Sequence, residues 1–101
     1  MEEITAIELA QLINNEDDVQ IIDVREAYEY DFAKIPNTKL IPLGEVVARM
    51  SEIDQTRAAI IHCKGGVRSA KAITDLKNAG YTGRLINLKG GIGAWSNRVV
   101  E

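Results

Sequence analysis

Apolar residues along the chain fall into two rhythms. Near the N-terminus Ala6, Leu9, Ala10 and Ile13 recur three or four positions apart, which places them on one face of a helix. Thr5 precedes that run and Glu8 follows three residues later, so each side chain can satisfy the other's free backbone N–H. Ile4 and Leu9 have the spacing of a hydrophobic staple. The pattern predicts a helix over residues 6–14, then the polar loop Asn14-Asn15-Glu16-Asp17-Asp18.

The second rhythm is a set of short, nearly continuous apolar runs. "VQIIDV" (19–24), "TKLIPL" (38–43), "AAIIHC" (58–63) and "RLINL" (84–88) are too short for stable helices and read as strands. The first and third are apolar enough to be buried on both faces of a sheet. Between them "REAYEYDF" reads as a short helix, and Leu43, Val46, Val47, Met50 and Ile53 recur at helical spacing, predicting a helix over 44–53. A further helix is expected from Ser69 to Ala79, with Ala72, Ile73, Leu76 and Ala79 inward and Gly80 as its stop. "GGIGAWSN" should turn at its glycines and end in a short helix. Alternating strands and helices predict an α/β sandwich around a mainly parallel sheet. In such sheets ligands bind at the carboxyl ends of strands, near a topological switch point.

The totals narrow the function. A chain of 101 residues is the size of one compact domain, read as a single unit over 1–101. Its 46% hydrophobic and 27% charged content is that of an ordinary soluble globular protein. A net charge of -3 without a basic block argues against nucleic acid as partner. No apolar run could span a membrane, and Met1-Glu2-Glu3 lacks the basic start of a secretory signal. One cysteine can form no internal disulfide and no thiol cluster for zinc. The expectation is a cytoplasmic chain with no metal, no cofactor and no membrane partner.

That cysteine stands in "IIHCKGGVRSA", residues 60–70. Cys63 ends a buried strand, so it lies at the carboxyl edge where ligands bind. Lys64, Gly65, Gly66, Val67 and Arg68 must curl around the sulfur before the next helix starts near Ser69. Two glycines permit backbone angles closed to other residues, and such a loop can turn several N–H groups inward as an anion nest. The helix N-terminus, Lys64 and Arg68 add positive potential. Together these favour a thiolate over a thiol. His62 is not the matching base, because neighbouring strand residues point to opposite faces. It reads as a partly buried structural histidine.

These residues resemble a known family. "IIDVREAYEYDFAKIP" is similar to the first signature of rhodanese-like domains, "CKGGVRSAKA" to their active-site loop, and "LKGGIGAW" to their C-terminal signature. The three stand in the family's order and spacing from about residue 4 to residue 97. The resemblance implies a three-layer rhodanese-like fold, with five strands, helices on both faces, and the catalytic loop after the fourth strand. It implies sulfurtransferase activity. Cys63 would take a sulfane sulfur from a small anionic donor such as thiosulfate, hold it as a persulfide, and pass it to a thiophilic acceptor. The backbone of Lys64 to Ser69 would cradle the persulfide. Arg68, helped by Lys64, would orient the donor. Asp23 and Arg25 match the first signature and read as a buried or partly buried polar pair supporting the site region.

The sequence departs from the family where Ala33-Lys34-Ile35-Pro36-Asn37-Thr38 replaces the usual Gly-His-Ile-Pro-Gly-Ala, and where Ile92 replaces an aromatic residue. Related phosphatases carry an arginine six residues after the cysteine. Here Ser69 holds that position, so the shorter loop makes a smaller cradle, suited to one outer sulfur rather than a phosphate. Phosphatase and arsenate reductase activity rank below sulfur transfer. The competing reading is a relay or binding module that works only with a protein partner, such as a sulfur-carrier protein with its adenylating enzyme, or a cysteine desulfurase as donor. Glu26, Glu29 and Asp31 read as a solvated helix face, with at least one of Tyr28, Tyr30 and Phe32 packed inward. Trp95 reads as a core or edge anchor for the last helix.

Overall fold

The computed structural model describes residues 1–99, and side chains as far as Ser96. Its elements run β1 (Glu3–Ile4), α1 (Ala6–Asn14), β2 (Val19–Asp23), α2 (Ala27–Phe32), β3 (Thr38–Leu40), β4 (Ala58–His62), α3 (Val67–Asn78), β5 (Leu85–Leu88) and α4 (Gly91–Val99). The five strands form one sheet in the order β1-β5-β4-β2-β3. Every pairing is parallel.

Because strand side chains alternate, the sheet feeds two cores. Ile22, Ile61 and Cys63 pack with Ala72, Ile73 and Leu76 of α3. Ile21, Ile60 and Ile86 pack with Leu9 of α1 and with Ile92 and Trp95 of α4. Trp95 is buried there as a core anchor. Helix α1 begins where the capping pattern places it. Glu8 N–H donates to Thr5 Oγ1 at 3.1 Å, and Thr5 N–H donates to Glu8 Oε1 at 2.9 Å.

One strand and two helices depart from what the apolar runs predict. The strand β1 has only two residues, too few to leave a periodic trace. It is held by Asn87 N–H donating to Glu2 O and Lys89 N–H to Ile4 O, both at 2.9 Å. The helix expected over 44–53 is instead a pair of 3-10 turns, Leu43–Glu45 and Met50–Glu52. Gly44 and the β-branched pair Val46-Val47 are weak helix formers. Burying Val46 and Ile53 is achieved without a continuous helix. Helix α3 starts at Val67 rather than Ser69, for a reason that lies in the cysteine loop.

The connections make a switch point. The chain leaves β2 towards β3 on one side and leaves β4 towards β5 on the other. The crevice between the carboxyl ends of β2 and β4 therefore faces two diverging crossovers, the place where such sheets bind ligands. Asp23 ends β2 and His62 ends β4, paired in register, and Cys63 follows immediately.

Candidate active site

Cys63 is buried, with its sulfur at the N-terminus of α3. Gly66 N–H points to Sγ at 3.1 Å and Ser69 N–H at 3.4 Å. Ser69 is the third residue of the helix, so the sulfur accepts a bond that an N-cap oxygen would ordinarily take. That is why Val67 and Arg68 are already helical: the cysteine itself caps the helix. Gly66 occupies the cap position with φ +107°, a conformation few other residues adopt. Gly65 has no positive φ, so only one of the two glycines is needed for its backbone angles.

The buried environment pushes the Cys63 thiol up. Hydrogen bonding from the N–H groups of Ser69, Gly66 and Gly65, and from the Ser69 hydroxyl whenever it turns to the sulfur, more than offsets this. The net displacement is below the ordinary thiol value. The dipole of a helix twelve residues long acts in the same direction.

The two loop cations differ. Lys64 is exposed, lines the adjoining cleft and enters no ion pair among the described residues. Arg68 is held by Glu29 of α2 through two bonds, Nη1 to Oε1 at 2.7 Å and Nη2 to Oε2 at 3.0 Å. Glu29 was expected on a solvated face. Instead it is half-buried, also accepts Glu26 N–H at 3.0 Å, and is pulled down to about 2, chiefly by its hydrogen bonds with Arg68. Sequence alone missed it because its partner is 39 positions away. Val67 is 82% exposed and points away from the nest.

Asp23 and Arg25 form a buried bidentate pair. Arg25 Nε approaches Asp23 Oδ1 at 3.0 Å and Nη2 approaches Oδ2 at 2.8 Å. A second bond from Nη2 to Ala33 O at 2.6 Å ties the end of α2 to the sheet. His62 is buried beside this pair, with Nε2 3.9 Å from Asp23 Oδ2. Burial pushes its imidazole below the ordinary value against the pull of Asp23. Its ring packs with the face opposite Cys63, and neither ring nitrogen has a hydrogen-bond partner among the described residues.

A second buried polar residue escaped the sequence reading. Asn87 lies in β5 among apolar neighbours. It accepts from the Ser69 hydroxyl through Oδ1 at 2.5 Å and donates from Nδ2 to Gly66 O at 3.3 Å. The lone amide in "RLINL" was the available signal. The C-terminal motif also reaches the loop, through the two residues after its double glycine. Ile92 N–H donates to Cys63 O at 2.9 Å and Gly93 N–H to Lys64 O at 3.1 Å.

Beside the loop lies a cleft of about 430 Å³, lined by Arg25, Tyr28, Phe32, Lys64, Ile92 and Gly93 among others. Tyr28 and Phe32 are exposed on its rim, while Tyr30 turns inward and donates its hydroxyl to Thr38 O at 2.9 Å. No described helix is long and apolar enough to cross a membrane.

Comparison with known proteins bears on the family and the fold. A "Sulfurtransferase" from Allochromatium vinosum is 38% identical over 93% of this chain and 87% of its own length. A "Probable adenylyltransferase/sulfurtransferase MoeZ" from Mycobacterium tuberculosis is 35% identical over 95% of this chain, which spans only 25% of that protein. The crystal structure of a "Rhodanese-like Domain Protein" from Staphylococcus aureus superposes with a TM-score of 0.85 at 37% identity, covering 94% of this chain and 91% of that one. The family model for the rhodanese-like domain matches residues 5–98, which takes in the cysteine loop, the strand before it and all but the end of α4. On its fold and over nearly its whole length, this chain belongs to the rhodanese-like domain family.

Proposed function

We propose that this chain is a sulfurtransferase that carries sulfur as a persulfide on Cys63. The observation that carries the reading is the single thiol held at a helix N-terminus by inward-facing N–H groups. The Cys63 thiolate attacks the outer sulfur of a donor such as thiosulfate. A sulfur–sulfur bond forms, the donor's own sulfur–sulfur bond breaks, and sulfite leaves with the electron pair. The nest then stabilises the charge on the terminal sulfur. A thiophilic acceptor next attacks that sulfur, and the electron pair returns to Cys63. With one cysteine in the chain, no internal thiol can resolve the persulfide, so the acceptor comes from outside. A reducing cytoplasm suits this chemistry.

Intact mass tests the reading. After incubation with thiosulfate the chain should gain one sulfur atom, and cyanide should remove it. A chain that stays unmodified with thiosulfate but gains sulfur from a cysteine desulfurase would favour the second reading, relay to or from a partner protein. The exposed Tyr28 and Phe32 on the cleft rim support that reading, as does the likeness to one part of the longer MoeZ protein.

The Arg68–Glu29 pair bears on the donor. A small dianion must compete with Glu29 for the guanidinium, leaving Lys64 as the uncommitted cation. Glu29→Gln should therefore lower the KM for thiosulfate by about three- to tenfold, the worth of a partly screened charge contact. Steady-state kinetics at fixed ionic strength would show it. An unchanged KM would mean that Arg68 does not meet the donor.

A further inference from the structure

Ser69 carries one hydroxyl proton and sits between two acceptors. Asn87 Oδ1 is 2.5 Å from its oxygen, and Cys63 Sγ is 3.4 Å away. The orientation of the amide follows from its other end. Nδ2 faces Gly66 O at 3.3 Å, and a carbonyl there requires the donor side of the amide. Oδ1 must then face Ser69 as an acceptor. All three groups are buried, so water does not relieve the competition.

With the proton directed to Asn87, Ser69 turns a lone pair to the sulfur. That arrangement suits a thiol, whose S–H can donate to Ser69 Oγ, and disfavours a thiolate. To help a thiolate the hydroxyl must rotate away and leave Asn87 Oδ1 buried without a donor, which is costly. We propose that Asn87 is a positioning residue that competes with Cys63 for the Ser69 hydroxyl proton and so restrains the ionisation that the loop amides drive. The consequence is chemical. A thiolate loses nucleophilicity as its basicity falls, and attack is most effective when the thiol titrates near ambient pH. The restraint keeps the stabilised sulfur reactive.

The inference rests on the reading of Cys63 as the reacting group, but its test needs no sulfur donor. The chain has one cysteine, so the pH dependence of its alkylation by iodoacetamide reports Cys63 alone. It yields both the thiol pKa and the limiting rate of the thiolate. Asn87→Leu keeps the branched shape but cannot accept a hydrogen bond. Its thiol pKa should fall by about half to one unit, and its limiting alkylation rate should fall with it. In the Ser69→Ala background, Asn87→Leu should leave the pKa where Ser69→Ala put it. Loss of the Nδ2 bond to Gly66 is common to both backgrounds and cancels in this cycle. Asn87→Val, which suits a buried strand, replaces the leucine variant if that one does not fold. A pKa that rises or stays fixed on removing Asn87, or equal effects in both backgrounds, would overturn the proposal and leave Asn87 as a loop anchor. Sulfur uptake from thiosulfate, followed by mass, separately decides the reading of Cys63.

Discussion

Cys63→Ser is expected to abolish sulfur uptake from thiosulfate, a loss of more than about ten-thousandfold in rate. The serine oxygen can occupy the nest and accept from Gly66 and Ser69, whose N–H groups lie 3.1 and 3.4 Å from the present sulfur. Yet a hydroxyl is far less acidic than a thiol, whose ionisation those N–H groups favour, and among the described residues no base is placed to take its proton. His62, the chain's one histidine, packs with the opposite face of the sheet and is pushed towards the neutral form by burial. Nor can oxygen hold a sulfane sulfur in the exchange described. The fold should survive, because the change removes little volume and retains the helix cap, with stability within about 2 kcal/mol of the parent. Intact mass and thermal unfolding on the same sample check both halves. Sulfur uptake by the serine variant would place the reacting group elsewhere.

How much of this was legible in the sequence depends on the range of the interaction. Helix α1 was readable because Thr5 and Glu8 sit three residues apart and complete their bonds locally. The runs that became β2 and β4 were readable because both faces of those strands are buried. Cys63 and its loop were readable because a strand end, the glycines and a helix start follow one another directly. Glu29 was not. Its local pattern is that of a solvent-facing acid, and Arg68, which fixes it, arrives from another element. Asn87 was missed for a related reason. One polar residue in a buried strand shows that a partner exists but not which one, and Ser69 is 18 positions away. The start of α3 was misplaced because the cap is a sulfur, which no capping pattern anticipates. The 3-10 turns replaced a helix because periodic burial is compatible with either geometry.

Gly91→Ala should unfold or loosen the loop from behind. Gly91 has φ +59°, and a Cβ built there meets Lys64 C and O at 2.5 Å as well as Cys63 O. Those are backbone atoms with little room to retreat, because Ile92 and Gly93 N–H hold the same two carbonyl oxygens. A left-handed alanine costs about 1–2 kcal/mol and overpacking about 1–3 more. The expected loss of about 2–5 kcal/mol should lower the thermal midpoint by roughly ten degrees or more. Relief of the clash must displace Cys63 O and Lys64 O. Sulfur uptake and the thiol pKa should therefore move in the fraction that stays folded, the pKa upward as the N–H contacts lengthen. Gly65→Ala is the matched comparison for stability. Gly65 has no positive φ, and a Cβ there meets nothing within 4 Å, so its midpoint should move by only a few degrees. Equal midpoints for the two variants would show that the C-terminal glycines do not brace the cysteine loop. A large gap between them explains the second glycine of the pair in "LKGGIGAW" physically: α4 lies close enough to hold the carbonyls of Cys63 and Lys64 because no side chain stands between them.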